Sequence, residues 1–264
     1  KKLRAKAEGG EKRMISKLGS FRAMLITLAY SCTADSFVFE RPRLMPGSSL
    51  SAQNYDFELR EARIMLDKMW KVDSTMGLSP MDEFTKRLQG YLDVIVDGGS
   101  PIALDELESS DYFSGSWRLA FSNDPRATIL KNPVVGDTKV FLEMSPRVGN
   151  AFGGLIQRIE INGKPGVRGE ARYSVGANGL VNLQYEKIMA TIMGFEVETP
   201  SFLVEQTTSS ISTSWFDGRL WIERLNVQDV GVPDEARSAL EAAAGAAGIS
   251  AYIYNVYKFD GDRP

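Results

Sequence analysis

From about residue 110 onward, apolar side chains recur at every second position, a period that belongs to strands and not to helices. Trp117, Leu119 and Phe121 alternate with Ser116, Arg118 and Ala120. Val167, Ala171, Tyr173 and Val175 share one face, with Gly169 among them, while Arg168, Glu170, Arg172 and Ser174 take the other. Val181, Leu183 and Tyr185 then alternate with Asn182, Gln184 and Glu186. Asn178-Gly179 separates the last two runs and is a strong hairpin signal, because both residues accept the positive φ that a tight turn demands. Asn162-Gly163 and Asp217-Gly218 punctuate the chain in the same way.

The spacing predicts strands near 114–122, 138–144, 154–162, 166–175, 179–188, 201–206, 209–216, 219–228 and 249–259. So many consecutive antiparallel strands, each with one apolar face, are expected to close into a barrel that buries the common face and removes the edges. An alanine-rich helix, about 233–244, is expected to interrupt the meander within an insertion at 229–248. The fold class expected is therefore mainly β (α+β), an antiparallel barrel over 109–264 preceded by a helical N-terminal region.

That region divides in two. Residues 55–108 read as a helical lead-in. Phe57, Ile64, Met65, Met69 and Val72 form a first stripe, and Phe84, Leu88, Tyr91, Leu92 and Ile95 a second. Ser79 and Pro80 suit the start of the second helix, and Gly98-Gly99 its end. Residues 1–54 read as an extended basic arm with a short amphipathic helix. Met14, Leu18, Phe21, Leu25 and Leu28 lie on one helical face, with Lys12, Arg13, Lys17 and Arg22 around its entrance.

Charge separates the arm from the body. Residues 1–43 hold ten basic and four acidic side chains, a net of +6, which leaves 21 basic and 30 acidic, a net of −9. A basic arm on an acidic body points to an anionic lipid surface or an acidic protein as the arm's partner. Lys12, Arg13, Lys17, Leu18, Phe21, Arg22, Leu25 and Leu28 are its candidate membrane or partner contacts. Packing of the same helix on the protein's own body is the competing reading. Nucleic acid is not an expected partner, because no basic-aromatic stripe continues past the arm. The longest uncharged stretch near this helix, 23–34, is too short to span a bilayer.

Two absences restrict the chemistry. The chain contains no histidine, which removes the usual general base and the usual nitrogen ligand for metals. Its one cysteine, Cys32, excludes an intrachain disulfide and a cysteine cluster for zinc. Carboxylate chemistry would need an Asp or Glu on the apolar face, and the alternation places none there. The acidic stretch Asp105, Glu106, Glu108 and Asp111 matches no calcium-loop spacing. Neither catalysis nor a metal is expected.

The candidate site is then the barrel lining: Trp117, Leu119, Phe121, Val167, Ala171, Tyr173, Val175, Val181, Leu183 and Tyr185. Large residues mixed with Gly169 and Ala171 either leave room for one elongated apolar molecule or taper and pack solid. Asp217, Arg219 and Arg224 are expected as polar groups at the barrel mouth; with Glu223 they cluster around the last hairpin, where such charges are solvated.

Three short motifs carry a resemblance. Ser114-Gly115-Ser116-Trp117-Arg118-Leu119-Ala120-Phe121-Ser122 resembles the first strand of the plastid lipid-associated proteins, the fibrillins. Trp215-Phe216-Asp217-Gly218-Arg219-Leu220-Trp221-Ile222-Glu223-Arg224 is similar to their late hairpin, and Tyr252 to Phe259 to their closing strand. The resemblance covers about residues 60–260 and implies a lipocalin-like barrel. It also implies a place in the plastid (chloroplast), on plastoglobules or peripheral to the thylakoid membrane, and association with carotenoids, quinones and other prenyl lipids; the candidate ligands are then carotenoid, chlorophyll or prenyl lipid. Trp221 stands where the family hairpin carries an arginine. The arm and the 229–248 segment are additions, and they favour a scaffold attached to a photosystem or its antenna over a soluble lipid carrier.

Overall fold

The computed structural model describes residues 56–65 in part, 83–124, 138–148, 151–200 and 208–227 with small gaps, 252–261, and a few single positions between them. The protein is mainly β. Ten strands make one sheet: β1 (Gly115–Ser122), β2 (Thr138–Met144), β3 (Gly153–Ile161), β4 (Lys164–Gly176), β5 (Leu180–Ile192), β6 (Phe195–Glu198), β7 (Thr208–Ile211), β8 (Trp215–Phe216), β9 (Leu220–Asn226) and β10 (Tyr252–Phe259). Every pairing is antiparallel. The order is β6-β5-β4-β3-β2-β1-β10-β9-β8, and β7 lies off this path against β5.

Local chemistry sets the turns. Asn162 and Asn178 take φ of 53° and 59°, followed by Gly163 at 70° and Gly179 at 69°. Paired positive φ of this kind matches the twist of the flanking strands and joins β3 to β4 and β4 to β5 with minimal loops. At the β8–β9 turn, Asp217 Oδ1 accepts from the N–H groups of Arg219 at 2.8 Å and Leu220 at 2.6 Å, and Gly218 supplies the positive φ.

Two bulges decide which side chains share a face. In β5, the step from Glu170↔Lys187 to Ala171↔Tyr185 sets two β5 residues against one of β4. Tyr185 and Ile188 thereby stay on one face although three positions apart. In β1, Leu119 pairs with Tyr257 and Phe121 with Val256, so two residues of β1 advance against one of β10. Past that bulge the alternation of β1 is inverted.

Both faces of the sheet carry buried apolar side chains. One face carries a continuous apolar cluster contributed by nearly every strand and extended at one end by Leu107 and Phe113, with Ile102 and Leu104 packed against it; we refer to this as the lining face. The other face is covered over β1, β8, β9 and β10 by helix α1 (Glu83–Asp97). Leu88, Leu92, Ile95 and Val96 of α1 lie at the spacing of one helical face and bury against Phe121, Trp215, Ile222, Tyr254 and Val256. Each such side chain contributes about 1.5–3 kcal/mol. Gly98 and Gly99 end the helix, Gly99 with φ of 88°. A single turn, α2 (Glu106–Ser109), seats Leu107 against Gly179, where an added Cβ would come within 2.8 Å of the leucine. Over β3 to β6 the second face is polar, with ion pairs such as Arg158–Glu143 at 3.1 Å and Lys187–Glu198 at 3.2 Å.

Several sequence expectations change here. Phe195–Glu198 forms a strand outside the expected set, and Val204, expected in a strand at 201–206, is helical and buried. Residues among 56–65 are helical, but Ala62 and Met65 face the core while Phe57 and Ile64 are exposed. Ser238, Glu241 and Ala242 are helical, within the expected insertion at 229–248. The arm, Ser79, Pro80, Met69 and Val72 lie outside the described residues.

Candidate functional site

Alternation puts nine of the ten expected lining residues together. Trp117, Leu119, Val167, Ala171, Tyr173, Val175, Val181, Leu183 and Tyr185 are all buried in one cluster. Phe121 is the exception and a correction: it is fully buried on the opposite face, against α1, because the β1 bulge reverses the pleat after Leu119. The same reversal brings Ser122 round to the lining face, opposite Asn255.

Of the two alternatives at Gly169, room or solid packing, the structure has packing. A Cβ at Gly169 would meet Tyr185 Cε1 at 2.9 Å, and the Tyr185 hydroxyl donates to Gln157 Oε1 across the strand between them. Tyr173 fills the space above Gly153 in the same way, its ring standing where a Cβ would need to be. Its hydroxyl donates to the Ser145 carbonyl at 2.7 Å. Burial pushes that hydroxyl up to about 12, with Arg147 opposing and Asp111 adding to the shift.

At the other side of the lining face, six aromatic rings make a continuous network. Phe113 lies 4.7 Å from Trp221 and 5.1 Å from Phe216, centroid to centroid. Trp117 meets Phe216, Trp221 and Phe259 at 5.5, 5.9 and 5.2 Å, and Trp221 meets Tyr257 at 5.0 Å. The two indoles differ in one respect. Trp117 Nε1 donates to the Phe113 carbonyl at 2.8 Å, whereas Trp221 Nε1, wholly buried, has no hydrogen-bond partner among the described residues.

Next to this network stands a polar group that sequence reasoning put elsewhere. Glu223 follows Trp221 by two residues on β9, so both point to the same side of the sheet, and Glu223 pairs with Asn255 as Trp221 pairs with Tyr257. It is buried. One carboxylate oxygen accepts from the Ser212 N–H at 3.0 Å and the other from Asn255 Nδ2 at 2.8 Å. Asn255 Oδ1 in turn accepts from Ser122 Oγ at 2.7 Å, and Ser122 Oγ accepts from the Asp124 N–H at 3.1 Å. The expectation that no Asp or Glu would lie on the apolar face is therefore overturned at Glu223. The signal was its i, i+2 relation to Trp221; the density of charges around the β8–β9 hairpin hid it. Burial, first, and the charges of Glu223 and Asp124 push the Tyr257 hydroxyl far above its ordinary value and keep it neutral.

The polar trio expected at the barrel mouth does not assemble. Asp217 builds the β8–β9 turn, and Arg219 is exposed beside it. Arg224 lies on the helix-covered face, where Nη1 donates to Asp97 at 2.7 Å and the guanidinium sits 4.7 Å above the Tyr252 ring. Next to it the Tyr254 hydroxyl donates to Asp93, so these two groups tie α1 to β9 and β10. The arm contacts Lys12, Arg13, Lys17, Leu18, Phe21, Arg22, Leu25 and Leu28 lie outside the described residues. Among the described residues, no cluster of three or more His, Cys, Asp or Glu is placed to hold a metal ion, and no helix is long and apolar enough to cross a membrane.

Comparison with protein-family models, with curated proteins and with solved structures returns no match to this chain.

Proposed function

We propose that the sheet rolls into a closed, lipocalin-like barrel, and that the protein is a non-enzymatic lipid- or carotenoid-associated protein of the plastid. On this reading it works at the periphery of the thylakoid membrane and takes up an apolar molecule in or near the barrel. A carotenoid, a chlorophyll or a prenyl lipid are the candidates. The observation that carries the reading is the segment 208–216. Its first part, β7, pairs with β5 near one end of the strand order, and four residues later β8 pairs with β9 near the other. Thr213 Oγ1 donates to the Gly179 carbonyl at 2.6 Å on the β5 side, and the Ser214 N–H to the Ile222 carbonyl at 2.8 Å on the β9 side. One segment bonded to both margins turns the apolar cluster inward and leaves few free edges.

The ordered fibrillin-like motifs at 114–122, 215–224 and 252–259 support the plastid setting. The non-enzymatic reading is supported by Glu223, whose two carboxylate oxygens both accept from donors of the fold.

A second reading has its own observation. The six-ring network packs much of the lining, and Val148, Phe152, Phe195 and Val197 are large apolar side chains left exposed. These features suit a linker subunit that holds a photosystem and its light-harvesting antenna together through the arm and the barrel surface. The native protein, purified from thylakoids, extracted with organic solvent and analysed by mass spectrometry, separates the two. About one apolar molecule per chain is expected. A protein that comes away empty, in company with photosystem subunits, would replace the first reading with the second.

A further inference from the structure

We infer that the indole N–H of Trp221 is the hydrogen-bond donor to a carbonyl oxygen of the bound molecule. The ligand class is then an apolar ketone or ester and not a plain hydrocarbon. This deepens the barrel reading above and rests on it.

Buried donors are paired in the great majority of native structures, since an unmet one costs about 1–3 kcal/mol. On this face the rule holds at Trp117, Tyr173, Tyr185, Ser122 and Asn255, each with its acceptor named above. It fails at Trp221 Nε1. The failure is not a consequence of loose packing, because the ring is wholly buried and touches Phe113, Trp117 and Tyr257. A lone water is a poor solution, since a buried water needs two to four polar partners and the rings beside Trp221 offer few. The nearest carboxylate along the strand, Glu223, already accepts from Ser212 and Asn255. A carbonyl oxygen needs one donor and brings its own apolar body, and the Trp221 N–H is a donor set among aromatic rings.

The test uses the full chain, labelled with 15N at tryptophan, and two probes of equal length, 2-hexadecanone and n-hexadecane. Their affinities are read by displacement of an apolar fluorescent dye. The Trp221 indole resonance is identified by its cross-relaxation to the Phe113 and Tyr257 rings. The ketone is expected to bind about tenfold more tightly than the alkane and to move that resonance downfield, with the alkane leaving it in place. In Trp221→Phe the preference is expected to vanish while alkane affinity persists. Equal binding of both probes, with the resonance unmoved by either, overturns the inference and leaves the barrel reading standing. Failure of both probes to bind overturns the two together. Should Trp221→Phe not fold, the wild-type resonance decides alone.

Discussion

Glu223 and Tyr173 show how single residues hold this lining face in place. The Glu223 carboxylate reaches from β9 to the backbone of Ser212 on the bridging segment and to Asn255 on β10, so it fastens three parts of the sheet. In Glu223→Gln one oxygen becomes an amide that must face a donor. A loss of about 1–3 kcal/mol is expected in urea unfolding, and unchanged stability would deny the residue this role. Tyr173 makes a pH-dependent contribution. Its hydroxyl is raised to about 12 in the fold, whereas in the unfolded chain it ionises near 10, so the unfolded chain loses the proton first as pH rises. The stabilisation is whole below pH 10 and is lost as pH climbs through about 12. Urea midpoints of the wild type should fall over that window relative to Tyr173→Phe, and parallel curves would contradict the assignment. Residues of this kind were only half legible in the sequence. Tyr173 announced its face by alternation, but its hydroxyl's acceptor, a backbone carbonyl from another strand, has no sequence signature. Glu223 obeyed the same alternation and was obscured by neighbouring charges.

Strands and turns were more legible. Asn-Gly pairs specify backbone angles directly, and period two specifies a face, so β3 to β5 and their hairpins followed from local chemistry. What local chemistry does not encode is a bulge, since an extra residue in one strand acquires meaning only from the register of its partner. The β1 bulge sent Phe121 to the helix side for that reason. Strand β6 escaped although Phe195-Glu196-Val197-Glu198 alternates, because a run of four residues is too short to stand out, and all four are exposed. The two faces of β1 can be separated by substitution. Phe121→Ala should cost about 3–5 kcal/mol of stability, seen in urea unfolding, and leave the affinity for 2-hexadecanone unchanged. Leu119→Ala, two residues away on the lining face, should weaken that affinity. A reversal of the two outcomes would mean that the faces have been assigned the wrong way round.

At the scale of the molecule, one antiparallel sheet collects the apolar side chains of nearly all its strands on one face, and a helix covers the back of four of them. The mainly β class was legible because it needs only a count of alternating runs. The meeting of one segment with both β5 and β9 was not, because it is a long-range coincidence with no local pattern. The central claim is that this face encloses the ligand. Methyl-labelled protein loaded with 2-hexadecanone tests it through intermolecular cross-relaxation. Contacts from the probe's chain to the methyl groups of Val167, Val175, Val181 and Leu183 are the expected result. Contacts confined to exposed Val148 and Val197, with those four methyl groups silent, would contradict it.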